Sequence, residues 1–228
     1  RERARAEITA EILASARRQV DLDGAAGLSL RAVARDLGMV SSALYRYFPS
    51  RDALLTRLIV DAYDSLGAAA EEAESGLARD DFAGRLAAVF RAVRYWALAN
   101  PNEYALIYGS PVPGYAAPAD TVVPATRAAL LLIQLLADAA AAGRLASPSG
   151  GGLSPGARAA LVPVRGAFPA ALPDELVHIG LMVWTGLFGV VSFELFGQLH
   201  DVVGDQPGER DAFFDQCVAR WADQLGLA

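Results

Sequence analysis

The chain has one cysteine, Cys217, and no lysine: all 20 of its basic residues are arginine, set beside 26 Asp or Glu and only 2 His. A single thiol excludes an intrachain disulfide and any multi-cysteine zinc site. Beside Phe213, Phe214 and Trp221, Cys217 reads as a small buried apolar residue. His178 and His200 belong to no metal-spaced set, so one reads as core, the other as surface, and no metal is expected. No glycine-rich phosphate loop, internal repeat or sustained period-2 alternation occurs, so strands are not expected. The absence of lysine carries no functional weight beyond the fact that guanidinium suits phosphate.

Long apolar runs are almost missing too. Leu176–Phe193, 18 residues without a formal charge, touches the lower bound for a membrane span. Its flanks are acidic (Asp174, Glu175, Glu194), and it contains His178, Thr185, Ser192 and three glycines. A helix buried on all sides, at a core or a dimer seam, fits better than a span. Arg1–Glu11 is charged throughout, unlike a signal peptide, so no membrane partner and a cytoplasmic location are expected.

Catalytic chemistry finds little support. Gly152-Leu153-Ser154-Pro155-Gly156 matches the nucleophile-elbow spacing G-x-S-x-G. The residue after the serine must give its backbone N–H to the oxyanion, and Pro155 has none. Ser154 reads instead as a helix N-cap. No catalytic residue and no cofactor are expected.

What is present is apolar material and segregated charge. Of the 228 residues 54% are apolar, enough for a large core, and the net charge is −6. Residues 1–57 hold ten Arg against seven acids, a net of +3; the remainder holds ten against nineteen, a net of −9. A basic head therefore sits on an acidic body, and the negative total is no objection to a nucleic-acid partner for the head.

Helical periodicity runs almost end to end and predicts an all-α fold. Ile8, Ile12, Ala16 and Val20 mark a first helix ending near Asp23-Gly24. Ser29 caps a second over Leu30–Leu37, stopped by Gly38. A third spans Ser41–Phe48 before Pro49, and Ser50 caps a long fourth with Leu54, Leu55, Leu58, Ile59, Ala62 and Leu66 inward. Further helices are expected over Asp81–Leu98, from Asn100-Pro101 onward, over Ala125–Ala142, from Ser154-Pro155 until Pro163, from Pro173, and over Gly208–Leu225. Gly109–Pro124 and Ser147–Gly152 read as irregular.

Leu30–Tyr47 carries the functional signal. Two short helices crossing steeply need a small residue at the contact, a residue tolerant of positive φ in the turn, and apolar glue. Ala34, Gly38 and Leu44 fall fifth, ninth and fifteenth from Leu30, with Val33, Leu37 and Met39 between. That spacing is a helix-turn-helix.

The whole segment Ser29–Leu55 (SLRAVARDLGMVSSALYRYFPSRDALL) resembles the reading head of the tetracycline-repressor (TetR) family, over about residues 5–66. The family more often has Lys where Arg51 stands. The resemblance implies a DNA-binding domain over residues 1–50 (motif 29–48) and a ligand-binding and dimerisation domain over 51–228, with helix 51–74 as connector. It further implies a homodimeric regulator, most simply a repressor, released from a palindromic operator by a small molecule. In such a motif the third helix enters the major groove with its N-terminal residues toward base edges. Ser41 and Ser42 then read bases permissively, and Tyr45 and Tyr47 reach phosphates. Ser29, Arg31 and Arg51 stand at helix starts that favour phosphate, and Arg46 faces groove or solvent.

More loosely, Trp184-Thr185-Gly186-Leu187-Phe188-Gly189 and Asn100–Gly114 (NPNEYALIYGSPVPG) resemble a branch with a Trp–His–Gly signature, Phe188 standing in place of the histidine. Tyr95, Trp96, Tyr104, Tyr108, Trp184 and Phe188 are candidates to line a pocket for an apolar or aromatic effector; core packing explains any one of them alone. The apolar helices 173–199 and 208–225 are expected to form the dimer seam. The competing reading is a helical carrier or interaction protein whose head no longer binds DNA.

Overall fold

The computed structural model describes residues 2–145, 152–204, 206 and 208–227. Among these every regular element is helical. They are α1 (Glu2–Asp23), α2 (Leu30–Asp36), α3 (Ser41–Leu44), α4 (Arg51–Ser75), α5 (Phe82–Ala99), α6 (Pro101–Tyr108), α7 (Val122–Ala141), α8 (Pro155–Ala160), α9 (Val162–Arg165), α10 (Asp174–Leu195) and α11 (Glu209–Leu225). The chain divides into two compact units, one of Arg1–Ser65 with Asn100–Ala125, the other of Leu66–Ala99 with Thr126–Ala228. The long helix α4 contributes to both.

In the first unit the i, i+4 pattern of α1 buries Ile12, Ala16 and Val20 against Leu30, Val33, Leu44, Leu54, Leu55 and Leu58. Leu106, Ile107, Val112 and Tyr115, from α6 and the loop after it, pack on this core. Polar bonds fix them there: Tyr63 Oη donates to the Ile107 carbonyl at 3.2 Å, and the Thr56 and Tyr115 hydroxyls share a bond of 2.9 Å.

The second unit packs α5 against α10 and α11. Gly186 permits the close approach of the last two, since a Cβ there would lie 3.0 Å from the Trp221 ring. Two arginines of α5 are buried among carboxylates. Arg85, 1% exposed, donates to Glu74 at 2.6 Å and to Asp138 at 2.9 Å, joining α5 to α4 and α7. Arg94 is bidentate to Glu194 at 2.6 and 2.7 Å and reaches Asp211 at 2.6 Å, joining α5 to α10 and α11.

Several expectations need correction. The third helix is regular only over Ser41–Leu44; from Tyr45 to Tyr47 the backbone tightens to turns, with Arg46 N–H on Ala43 and Tyr47 N–H on Leu44. Helix α7 starts at Val122, three residues before the expected Ala125, because Pro124 falls in its first turn where a missing N–H breaks no intrahelical bond. Pro163 splits its segment into α8 and α9 around Leu161. Within the single chain α10 leaves Met182 and Phe193 53% and 55% exposed while Leu176, Val183 and Leu187 are buried, so covering it on every side, as expected of a core or a dimer seam, takes a second copy. By length and hydropathy alone, α10 and Ala119–Ala141 could each cross a bilayer; α10 packs on α5 and α11. His178 is half-buried and His200 exposed, so neither is a core histidine, and Cys217 is half-buried with its thiol pKa pushed up by that burial. The expected loop Ser147–Gly152 lies, save Gly152, outside the described residues.

Candidate nucleic-acid interface

The α2–turn–α3 geometry is built from local capping. Ser29 Oγ accepts from the Ala32 N–H at 3.5 Å and starts α2. Gly38, at φ +64, ends it: its N–H bonds the Arg35 carbonyl at 3.2 Å and the Met39 N–H bonds the Ala34 carbonyl at 2.8 Å. This paired closure needs a left-handed residue at Gly38, which an L side chain adopts only under strain. It turns the chain so that α3 packs through Leu44, 0% exposed, onto Val33, Ala34 and α1. Ser50 Oγ then accepts from the Ala53 N–H at 3.0 Å and opens α4.

Burying Leu44 leaves the opposite side of α3 in solvent. Ser41, Ser42, Tyr45 and Arg46 are exposed, Tyr45 by 46%. Tyr45 and Arg31 line one open groove together with Ser29, Leu30, Pro49, Ser50 and Arg51. Tyr47 is half-buried, its ring beneath the Arg5 guanidinium at 5.4 Å, while Arg5 Nη2 also donates to the Arg46 carbonyl at 3.5 Å. Arg31, Arg35 and Arg46 are exposed, and among the described residues none of the three is placed in an ion pair.

Arg51 differs from the other arginines of this surface. Its Nε donates to the Leu28 carbonyl at 3.1 Å and its Nη2 to Ala25 and Ala26 at 2.8 and 3.3 Å. Asp36, at the end of α2, accepts from the buried Ser15 hydroxyl at 2.6 Å and from Arg18 at 2.7 Å. These two bonds hold its carboxyl below the usual carboxylate range.

Sequence reasoning missed Arg5 and the Asp36 cluster, whose partners lie 41 and 18–21 residues away with no local pattern to announce them. It also missed Arg85 and Arg94, although arginines inside the largely apolar Phe82–Ala99 segment were a visible signal. Ser154 is a helix cap, accepting from the Ala157 N–H at 3.2 Å.

The aromatic set divides between the units. Tyr104, fully buried, packs on Tyr108 at 5.2 Å, and Tyr108 meets the Tyr63 ring edge-on at 6.0 Å, in the first unit. Burial, reinforced by the two neighbouring phenols, pushes the Tyr108 hydroxyl pKa far up. In the second unit Trp184 and Phe188 meet edge to face at 4.7 Å, Trp96 is buried, and Tyr95 is half exposed beside Arg94.

Comparison with known proteins matches both halves of the chain. Residues 12–58 match the family described as bacterial regulatory proteins, tetR family, and residues 86–221 match the tetracyclin repressor-like C-terminal domain. HTH-type transcriptional regulators of Mycobacterium bovis and Mycobacterium tuberculosis are 42% identical over 206 residues, covering 90% of this chain and 88% of theirs. The crystal structure of a regulatory-protein candidate, SCO4313, superposes with a TM-score of 0.78 at 34% identity, covering 98% of each chain. That of a Rhodococcus protein of unknown function does so at 0.67 and 25% identity, covering 96% of this chain and 93% of the other.

Proposed function

The chain belongs to the tetR family of bacterial regulatory proteins, and from that premise we propose that it is a cytoplasmic, homodimeric, non-enzymatic repressor released from a palindromic DNA operator by a small apolar or aromatic ligand. The observation that carries the reading is α3: one short helix, anchored by Leu44, with Ser41, Ser42, Tyr45 and Arg46 all exposed beside the Arg31 groove. Ser41 and Ser42 meet base edges, where a hydroxyl donates or accepts with tolerance. Tyr45, Tyr47, Arg31 and the Ser29 turn meet the phosphate backbone. Arg46 lies at the groove edge, and Arg51 lines the phosphate-facing groove.

The dimer is formed by α10 and α11. Met182, Thr185, Gly189, Phe193 and Phe196 make an exposed stripe along α10 at helical spacing, and a Cβ at Gly189 would meet nothing within 4 Å. Such a stripe, small in the middle and aromatic at one end, suits a second copy of the same helix. Trp184 and Gly189 on this helix support the looser resemblance to the Trp–His–Gly branch, from which Phe188, in place of the histidine, departs. The effector is held by aromatic side chains among Tyr95, Trp96, Tyr104, Tyr108, Trp184 and Phe188, a set poor in charge.

Selection from a random duplex pool, followed by footprinting, tests the function. The expected product is an inverted repeat with half-sites about 34 Å apart or a multiple of it. Recovery of no preferred duplex, with binding insensitive to salt, would favour the helical-carrier reading. Phe193→Glu is expected to give monomers in sedimentation, and an unchanged dimer would place the seam elsewhere. By linkage, an effector that weakens operator affinity must itself bind more weakly, by the same factor, when operator is present.

A further inference from the structure

Arg51 opens α4, the place where the family resemblance puts a phosphate contact, yet its donors are directed inward. A guanidinium carries five N–H donors in a rigid plane. The Nε and Nη2 edge meets three carbonyls, of Leu28, Ala25 and Ala26, at 3.1, 2.8 and 3.3 Å. What remains is Nη1, which lies 3.5 Å from Asp52 Oδ1, an anion that already partners it. The side chain is only 29% exposed, whereas Arg31, lining the same groove, is exposed and carries no ion pair.

The three carbonyls belong to the tight turn Ala25–Gly27 and its exit, between the end of α1 and the Ser29 cap of α2. A turn this short leaves carbonyls facing outward; that of Ala25 otherwise receives only the Leu28 N–H, at 3.4 Å. The Arg51 fork gathers them from one side and so sets where α2 begins. Ser29 follows the last of these carbonyls directly, and Arg31 is two residues further on.

We propose that Arg51 is a positioning residue for DNA binding: it clamps the Ala25–Leu28 carbonyls so that α2 presents Arg31 to the DNA phosphate, and it does not take the phosphate itself. This deepens, and rests on, the DNA-binding reading given above. Lysine cannot do the same work, because an ammonium is a single point on a flexible stem and lacks the rigid fork whose two nitrogens reach the three carbonyls.

The test uses full-length protein and a fluorescein-labelled random-sequence duplex, whose binding is essentially electrostatic, titrated across salt concentrations. Removing one phosphate-binding side chain flattens the log–log salt slope by about 0.9 unit per protomer. Arg31→Ala is expected to flatten it by that amount. Arg51→Ala is expected to weaken binding by one constant factor, about tenfold, at every salt concentration, leaving the slope unchanged. Arg51→Lys, which keeps the charge and removes the fork, is expected to behave like Arg51→Ala. A slope flattened by Arg51→Ala and restored by Arg51→Lys overturns the proposal. Should the Arg51 variants fail to fold, the wild-type protein still decides. The Arg51 Nε–H resonance is expected to be protected from solvent exchange without DNA and unmoved when the duplex is added, while the Arg31 Nε–H becomes protected only in the complex. An Arg51 Nε–H that gains protection only with DNA overturns the proposal. Wild-type protein that does not bind the duplex even at low salt overturns the DNA-binding reading, and this one with it. Binding with a slope that Arg51→Ala flattens and Arg51→Lys restores overturns the role of Arg51 alone.

Discussion

Head and body use the same residue in opposite ways. In the body, Arg85 and Arg94 are 1% and 3% exposed, each bonded to two carboxylates and tying α5 to its neighbours. On the DNA-facing side of the head, Arg31, Arg35 and Arg46 stand in solvent and, among the described residues, in no ion pair, while the turns that carry them are fixed by hydroxyl caps and backbone carbonyls; the head's carboxylate bonds, Arg17–Asp61 and Arg18–Asp36, hold α1 to α4 and α2. A cation already bonded to a carboxylate is poorly placed to meet a phosphate, so a DNA-reading surface has to be held together by neutral groups. The body carries no such requirement, and much of its negative charge is engaged in holding arginine.

The sharpest way to break this contrast is at Arg94. Arg94→Ala leaves the Glu194 carboxylate, 6% exposed, without its cation and frees α10 and α11 from α5. The expected loss is about 3–5 kcal/mol in urea unfolding at fixed protein concentration. Replacing both partners by apolar residues, Arg94→Met with Glu194→Leu, is expected to recover most of it, since no charge is then buried alone. A single-variant loss under about 1 kcal/mol, the value typical of surface pairs, would mean that these arginines serve no more than solvated ones do.

The head breaks at an apolar point. Leu44→Ala empties a site with no solvent exposure at the only anchor of α3, at an expected loss of about 2–5 kcal/mol confined to the first unit. Duplex binding should vanish while the α10–α11 dimer persists in sedimentation. Loss of the dimer together with DNA binding would show that the two regions do not unfold separately.

Local features were legible in the sequence and distant ones were not. Ser29, Ser50 and Ser154 were readable as caps because each satisfies an N–H three residues on, and Gly38 because its positive φ is a local demand. Leu44 followed from the motif spacing. The partners of Arg94 lie 100 and 117 residues away, and those of Arg51 23 to 26 residues back, so the helix start and the family resemblance suggested a phosphate contact for Arg51, and nothing local singled out Arg94. Nor did periodicity show that Leu106, Ile107 and Tyr115 pack with the head core, since an apolar stripe says only that a face is covered, not by what. The length of α3 was overread for a related reason: its hydrogen bonds continue to Phe48 but tighten, and a tightened turn has nearly the pattern of a helix.

Smaller changes on the exposed side of α3 sharpen the contrast without unfolding either region. Tyr45→Ala removes one hydroxyl and ring from the groove beside Arg31 and is expected to weaken binding to every duplex by a similar factor, about fivefold to tenfold. Ser41→Ala and Ser42→Ala should leave non-specific binding nearly intact and change which bases are preferred in duplex selection. A selected sequence unchanged by both serine variants would move base reading to Arg46.

The smallest expected effect concerns a carboxylate that the head uses structurally, as it does Asp61, which pairs with Arg17 at 2.9 Å and Arg57 at 2.6 Å. Asp36 lies at the end of α2 and accepts on Oδ2 from the Ser15 hydroxyl and from Arg18, which links α2 to α1. Those bonds, the hydroxyl first, lower its pKa below the ordinary 3.8. A carboxyl lowered in the folded state adds stability that is complete above the unfolded value and is lost as pH falls through the folded one. Between neutrality and about pH 4 the head should therefore show no Asp36-dependent change, and below that its melting temperature should fall. Arg18 stays charged throughout and the Ser15 hydroxyl does not titrate, so the loss is that of the Asp36 anion alone. Asp36→Asn keeps an acceptor for Ser15, which is 1% exposed and would otherwise lose its partner, and removes the titration. The variant is expected to melt slightly lower than wild type at neutral pH and to converge with it as pH falls through the lowered folded pKa and the wild-type carboxyl is itself protonated. In the body, burial alone would push the Asp138 carboxyl up, but bonds from Gln134 and Arg85 outweigh it and hold the pKa low, so acid should weaken that region in the same direction. Asp36→Asn and wild type differing by the same amount at pH 7 and below the lowered folded pKa would show that the Asp36 anion contributes nothing to the head.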